Sequence, residues 1–189
     1  MAEILTGKTI WNEASKAGLA LGGLSVGCTL LTGLMAHMGD STMVKFFISV
    51  FGFIIWVAKF GGCIWLMAYF MKKLVAGYED VTNHDTYILG VESALLSALI
   101  VAGYTLASTM LVSPETYKET FEIALSQYSG MIDSNSREAL DSMIDNMPVI
   151  MFVSNLIYCF IYGWVLSGIL SRNIPSSNPF ERQTPTQAE

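Results

Sequence analysis

Four long apolar runs, separated by shorter polar stretches, dominate the pattern of the chain. The runs cover roughly residues 17–38, 46–71, 87–112 and 148–171. About 20 apolar residues at helical rise are enough to cross the roughly 30 Å hydrocarbon core of a bilayer. The pattern therefore predicts an all-α fold, a four-helix transmembrane bundle that forms one membrane domain over residues 1–172.

Composition supports a membrane protein and argues against a nucleic-acid-binding one. Hydrophobic residues make up 52% of the chain and charged residues 14%, and the mean hydropathy is +0.49. Such values are typical of multi-span membrane proteins. With a net charge of −6, the chain has no basic surface that would neutralise the phosphates of a nucleic acid.

Basic residues are unevenly divided between the two sides that four spans create. Six lie on the side of the two termini and three on the other side, with several directly at span ends. This excess predicts cytoplasmic N- and C-termini. The six are Lys8, Lys16, Lys72, Lys73, Arg172 and Arg182, and the three are Lys45, Lys118 and Arg137.

The segment between the third and fourth runs, residues 113–147, has an amphipathic pattern. Ser113 and Pro114 form a helix start signal and Gly130 a stop signal, which divides the segment into two helices. We therefore expect an extramembrane helical hairpin on the outer side. The tail over residues 173–189 is rich in proline and polar residues, and we expect it to be disordered in the cytoplasm.

One charged residue, Lys59, lies inside the second apolar run, which holds no other charge. From the middle of the hydrocarbon core, its side chain is too short to reach the membrane surface, and an exposed charge there is costly. We therefore expect Lys59 to face the bundle interior. Gly52, Trp56, Gly62 and Cys63 share its helical face, and the small residues among them would allow close helix approach.

Candidate binding partners of Lys59 lie on the fourth and third runs. Tyr162 lies at a similar depth, and Asn155, Tyr158 and Tyr162 form a polar stripe at i, i+3 and i+7. Their hydroxyl groups or ring faces could contact the ammonium. Glu92 is the alternative as a salt-bridge partner, although it lies nearer the cytoplasmic surface and away from the small, polar face of its helix.

Glycines recur in the first run with the spacing of helix–helix contacts. Gly18, Gly22, Gly23 and Gly27 give two small-xxx-small steps. Packing within the bundle is the ordinary explanation of such steps, and self-association through the small-residue face is the alternative.

The chain resembles a membrane-protein family of Bacteroidota, catalogued as domain of unknown function 4199. The stretches that carry the resemblance are WNEASKAGLALGGLSVG, YILGVESALLSALIVAG and PETYKETFEIALSQYSGMIDSNSREALDSMIDNM. The resemblance implies a four-span inner-membrane protein. It also implies a membrane partner in lipid-linked sugar metabolism, namely a polyprenyl-phosphate glycosyltransferase.

Motifs for catalysis, metals and cofactors are absent from the sequence. It lacks a nucleophile–base arrangement, a phosphate-binding glycine loop and HExxH. The three cysteines have no metal-type spacing and are interpreted as packing residues. We therefore predict a non-enzyme without a cofactor or metal. The acidic stripe Glu138, Asp141 and Asp145 is interpreted as solvated surface.

Three functions remain open on this reasoning. The first is a non-catalytic scaffold or accessory subunit for a membrane-associated enzyme. The second is a small transporter or channel subunit for an anionic solute, in which Lys59 is the binding charge. The third and weakest is an enzyme that acts on lipids at the outer face through the acidic hairpin.

Overall fold

The computed structural model describes residues 5–36, 42–78, 81–111, 123, 143 and 146–174, and this part of the chain is helical, without strands. Four of its helices are long and apolar enough to cross a membrane. They confirm the predicted all-α class. The helices are α1 (Gly7–Ala36), α2 (Thr42–Gly77), α3 (Asn83–Leu111) and α4 (Met147–Asn173).

Two predicted features fall almost entirely outside the described residues. These are the outer helical hairpin over residues 113–147 and the cytoplasmic tail over residues 173–189. Their arrangement therefore stays a prediction.

The helices extend beyond the apolar runs from which they were predicted. α1 begins at Gly7 rather than near residue 17, because Ile10 and Ala14 of its polar first turns are buried in the bundle. α2 continues to Gly77. At that end, the Lys73 ammonium lies 3.4 Å from the Glu13 carboxylate, so an ion pair joins α1 to α2.

Contacts of small residues show the relative directions of α1, α3 and α4. A Cβ added at Gly18 would lie 2.7 Å from the Leu96 Cβ, and one added at Gly22 would lie 2.9 Å from the Ile100 Cβ. A step of four residues forward in α1 matches a step of four residues forward in α3, so these two helices run parallel. α4 runs antiparallel to α3, because Ser167 lies beside Gly90 while the earlier Gly163 lies beside Ala94.

α3 is the centre of the bundle and packs closely on α1 and α4. Its buried face consists largely of small residues, including Ser93, Ala94, Ala98 and Ala102. Small side chains let helix backbones approach closely, which is how helices associate where lipid removes the hydrophobic drive.

α2 is attached mainly to α1 and touches α3 and α4 less. Leu24 of α1 packs over Gly62, where a Cβ would be 2.9 Å from the leucine Cδ2. None of the most apolar window of α2 is buried within the bundle, so this helix faces lipid over much of its surface. The looser fit of α2 leaves a space between it and the α3–α4 pair.

Candidate functional site

A cavity of about 70 Å³ lies between the four helices at the level of Lys59. This volume accommodates a few atoms of the size of water. The polar groups of its wall are one ammonium, hydroxyl groups and thiols, and the rest is apolar. The lining residues with such groups are Ser25, Lys59, Cys63, Ser97, Tyr158, Cys159 and Tyr162.

The orientation of α2 determines that Lys59 faces this cavity. Lys59, Cys63 and Met67 follow one another at helical i+4 spacing and all line it. The Cys63 Sγ lies 3.7 Å from the Ser25 Oγ of α1, and Met67 is buried. This contact with α1 turns the lysine inward, and its side chain is half-buried.

α4 contributes Tyr158 and Tyr162 to the opposite wall. The Tyr162 ring meets the ring of Phe60 edge to face, with centroids 5.3 Å apart and planes at 84°. Since Phe60 follows Lys59 in the chain, this contact puts Tyr162 at the depth of the lysine. The structure therefore brings together Lys59, Tyr158 and Tyr162.

The other two candidate residues do not reach the cavity. Asn155 donates its side-chain N–H to the Met151 carbonyl of its own helix, at 3.0 Å. Glu92 lies outside the cavity wall and forms no ion pair with Lys59. One Glu92 carboxylate oxygen is buried without a hydrogen-bond partner in the described part of the chain.

Lys59 therefore lines the cavity without a compensating negative charge among the described residues. Within the described residues it has no hydrogen bond, ion pair or aromatic ring face. A cation in a mainly apolar wall attracts an anionic group strongly, because low dielectric and restricted water screen it little. The arrangement can hold one small anionic or polar group.

Sequence reasoning missed four polar residues of the wall. Ser25, Cys63, Ser97 and Cys159 were interpreted as packing residues or left unassigned, yet they line the cavity. Cys63 was already placed on the helical face of Lys59, but as a packing residue and not as part of a site. The described residues contain no group of three or more His, Cys, Asp or Glu side chains that could hold a metal ion.

A second candidate site is the outer face of α1, which we define by Leu19, Gly23, Gly27, Leu30 and Leu34. No heavy atom lies within 4 Å of a Cβ added at Gly23 or Gly27. The three leucines are 69%, 48% and 68% exposed. This open α1 face contrasts with the neighbouring face of the same helix, which packs on α3.

Comparison with protein-family models, curated proteins and solved structures gives no match to this chain.

Proposed function

We propose that the chain is a non-catalytic scaffold or accessory subunit of a bacterial inner membrane, which binds a transmembrane helix of a membrane-associated enzyme along the open α1 face. The observation that carries this proposal is that no other helix packs on the small-xxx-small pair Gly23 and Gly27 in the described part of the chain. Glycines at this spacing allow the backbone of another helix to approach closely.

The same helix provides the comparison that gives this observation weight. Gly18 and Gly22 lie against Leu96 and Ile100 of α3, and both contacts are too close for any side chain. Gly23 and Gly27 have the same i, i+4 spacing on the other side of α1, where their surface is open. Gly18 and Gly22 thus pack within the bundle, whereas Gly23 and Gly27 are available to a partner helix.

The leucines beside the open glycines favour protein over lipid as the occupant. Leu19 and Leu30 lie about one turn before and one turn after the two glycines on the same face. The glycines between them leave a shallow groove across the helix, in which side chains of another helix can pack. Flexible lipid chains gain less from such a fixed shape, because ordering them costs conformational entropy.

The enzyme class comes from the resemblance to the Bacteroidota family and from the proposed orientation. A polyprenyl-phosphate glycosyltransferase acts at the membrane and is the partner that this resemblance implies. The basic residues at the cytoplasmic ends of the spans support cytoplasmic termini. The subunit would then position or stabilise such an enzyme without taking part in its chemistry.

Affinity purification from native membranes in mild detergent tests this proposal. We expect the wild-type chain to retain a stoichiometric membrane enzyme, identified by mass spectrometry. Replacing both Gly23→Ile and Gly27→Ile should remove it, since the added side chains fill the groove. Gly61→Ile is the matched control, because a Cβ at Gly61 also meets nothing within 4 Å. Recovery of a lone monomer, or of a homodimer only, would contradict the accessory-subunit proposal.

A second candidate function, favoured by the cavity, is binding of a small anionic solute at Lys59. The supporting observation is that Lys59, which has no compensating charge among the described residues, and Tyr162 line facing walls of one cavity. In this proposal the chain is a transporter or channel subunit, and Lys59 attracts the anionic group into the bundle.

Lys59→Met separates this second function from a structural role of the lysine. We expect the variant to fold and to be at least as stable, because an apolar side chain of similar length avoids burying a charge. Anion flux into proteoliposomes should fall to background, while Lys72→Met, at a helix end, should leave it unchanged. Intact flux in Lys59→Met would exclude the lysine as the binding charge.

A further inference from the structure

A second and larger cavity, about 630 Å³, opens on the surface where α3 begins and α4 ends. We call it the terminal groove. Its wall combines a cation, hydrogen-bond donors and two large aromatic side chains. The lining residues are Asn83, His84, Tyr87, Trp164, Val165, Gly168, Ser171 and Arg172.

Polarity changes along the terminal groove from one end to the other. Asn83 and His84 belong to the first turn of α3, and Arg172 to the last turn of α4. Trp164 and Val165 lie about two turns deeper along α4 at helical rise. Helices as long as α3 and α4 cross the hydrocarbon core, so their ends lie near the membrane surface. The groove therefore runs from headgroup depth into the hydrocarbon.

The apolar end of the terminal groove has a defined shape. The Trp164 indole N–H donates to the Tyr87 hydroxyl at 2.5 Å, and the Ser167 hydroxyl donates to the Tyr87 carbonyl at 2.9 Å. Gly168 forms part of the wall, and a Cβ there would approach only the Tyr87 ring, at 4.0 Å. A side chain larger than glycine would fill the space that an acyl chain could take.

The polar end presents positive charge and donors. Arg172 is exposed, and its guanidinium has a planar fork of N–H donors that fits phosphate oxygens. The Asn83 amide and a His84 ring nitrogen can donate beside it. The acid of this turn, Asp85, instead accepts hydrogen bonds from the Thr82 backbone N–H, at 2.9 Å, and the Thr82 hydroxyl.

We propose that the terminal groove binds a phosphate group at Arg172, His84 and Asn83, as carried by the headgroup of an anionic lipid whose acyl chain lies along Trp164 and Gly168. The graded polarity matches the shape of a lipid better than that of a small soluble anion. Tyr and Trp are also the side chains that membrane proteins place at headgroup level.

Native mass spectrometry of the full chain in detergent tests this proposal with three probes. Phosphatidic acid carries both phosphate and chains, diacylglycerol carries the chains alone, and inorganic phosphate carries the headgroup chemistry alone. We expect phosphatidic acid to bind about tenfold more tightly than diacylglycerol. Inorganic phosphate should compete only weakly, and strong competition would assign the phosphate site to a soluble source.

Two substitutions locate the binding. Arg172→Gln should weaken binding of phosphatidic acid by about tenfold, as expected for loss of a charge-assisted hydrogen bond. Lys72→Gln is the control, because Lys72 is exposed near the same end of the bundle but does not line the groove. Gly168→Leu should weaken binding of both lipids by occupying the chain path.

Three results would overturn the proposal. These are equal binding of phosphatidic acid and diacylglycerol, equal losses in Arg172→Gln and Lys72→Gln, and unchanged lipid binding in Gly168→Leu. Thermal unfolding of each variant checks that the bundle is intact, since Arg172 is exposed and a Cβ at Gly168 meets only an ordinary contact.

Discussion

Glycines that look alike in the sequence of α1 have opposite surroundings in the bundle. Gly22 and Gly23 are adjacent, yet a Cβ at Gly22 would lie 2.9 Å from Ile100 and one at Gly23 would meet nothing within 4 Å. The 100° turn between neighbours on a helix accounts for this difference. Single residues thus divide α1 into a bundle face and an open face.

Substitution of Gly18 and of Gly23 should have unequal effects on stability. Gly18→Leu should lower the free energy of unfolding by about 1–3 kcal/mol, because overpacking forces neighbouring groups to shift, here Leu96 and the Ser93 carbonyl. Gly23→Leu should change it little. Unfolding in mixed micelles with increasing denaturing detergent measures both. Equal losses in the two variants would contradict the assigned faces.

The sequence predicted the membrane depth and the helical face of some residues of the Lys59 cavity, but not of all. Counting from the run ends predicted that Tyr162 lies level with Lys59, and both line the cavity. Asn155 shares the stripe but bonds to the Met151 carbonyl of its own helix. Periodicity cannot show this, because a polar side chain in a membrane helix has this local alternative.

At the scale of elements, α3 and α4 form the most closely packed pair of helices in the described chain. Ser167 is fully buried between them, and its hydroxyl donates across the interface to the Tyr87 carbonyl at 2.9 Å. Gly90 and Gly163 provide the space for this approach. The pair therefore depends on small residues and on interhelical hydrogen bonds, including this one from Ser167.

Removal of the hydrogen bond from Ser167 to the Tyr87 carbonyl should cause a small but measurable loss of stability. Ser167→Ala should lower the free energy of unfolding by about 0.6 kcal/mol, the average for interhelical hydrogen bonds in membranes. Ser171→Ala is the control, because the Ser171 hydroxyl donates within its own helix, to the Gly168 carbonyl at 3.3 Å. Identical unfolding curves for the two variants would indicate that the Ser167 bond adds nothing.

The sequence predicted the four helices but not their full lengths or the terminal groove. The apolar runs mark where lipid must be, whereas α1 continues through polar turns because tertiary contacts bury Ile10 and Ala14. The terminal groove depends on the antiparallel register of α3 and α4, which places His84 beside Arg172. The periodicity of the sequence cannot show that two residues so far apart in the chain line the same groove.

For the whole molecule, the four candidate membrane spans among the described residues predict that both ends of the chain lie on one side of the membrane. The described core is concentrated toward that end of the bundle, where Met71, Leu74, Val81, Leu89 and Ile174 are buried together. Toward the other end, the helices expose large apolar side chains. The bundle is thus tightest near the surface that the distribution of basic residues predicts to be cytoplasmic.

Reporter fusions test the orientation of the whole chain. Green fluorescent protein fused to either end should fluoresce, and alkaline phosphatase fused to either end should be inactive, because both ends are predicted in the cytoplasm. Reporters on opposite sides would contradict an even number of spans. Active phosphatase at both ends would contradict the orientation inferred from the basic residues.

Association along the open α1 face is the central claim about the molecule, and photocrosslinking in living membranes tests it most directly. A photoreactive amino acid in place of Leu19 is compared with one in place of Trp65 on α2, since these side chains are 69% and 67% exposed. We predict a discrete protein adduct from Leu19 only, lost when Gly23→Ile and Gly27→Ile are added. Lipid adducts alone at Leu19, or the same protein adduct from Trp65, would contradict the claim.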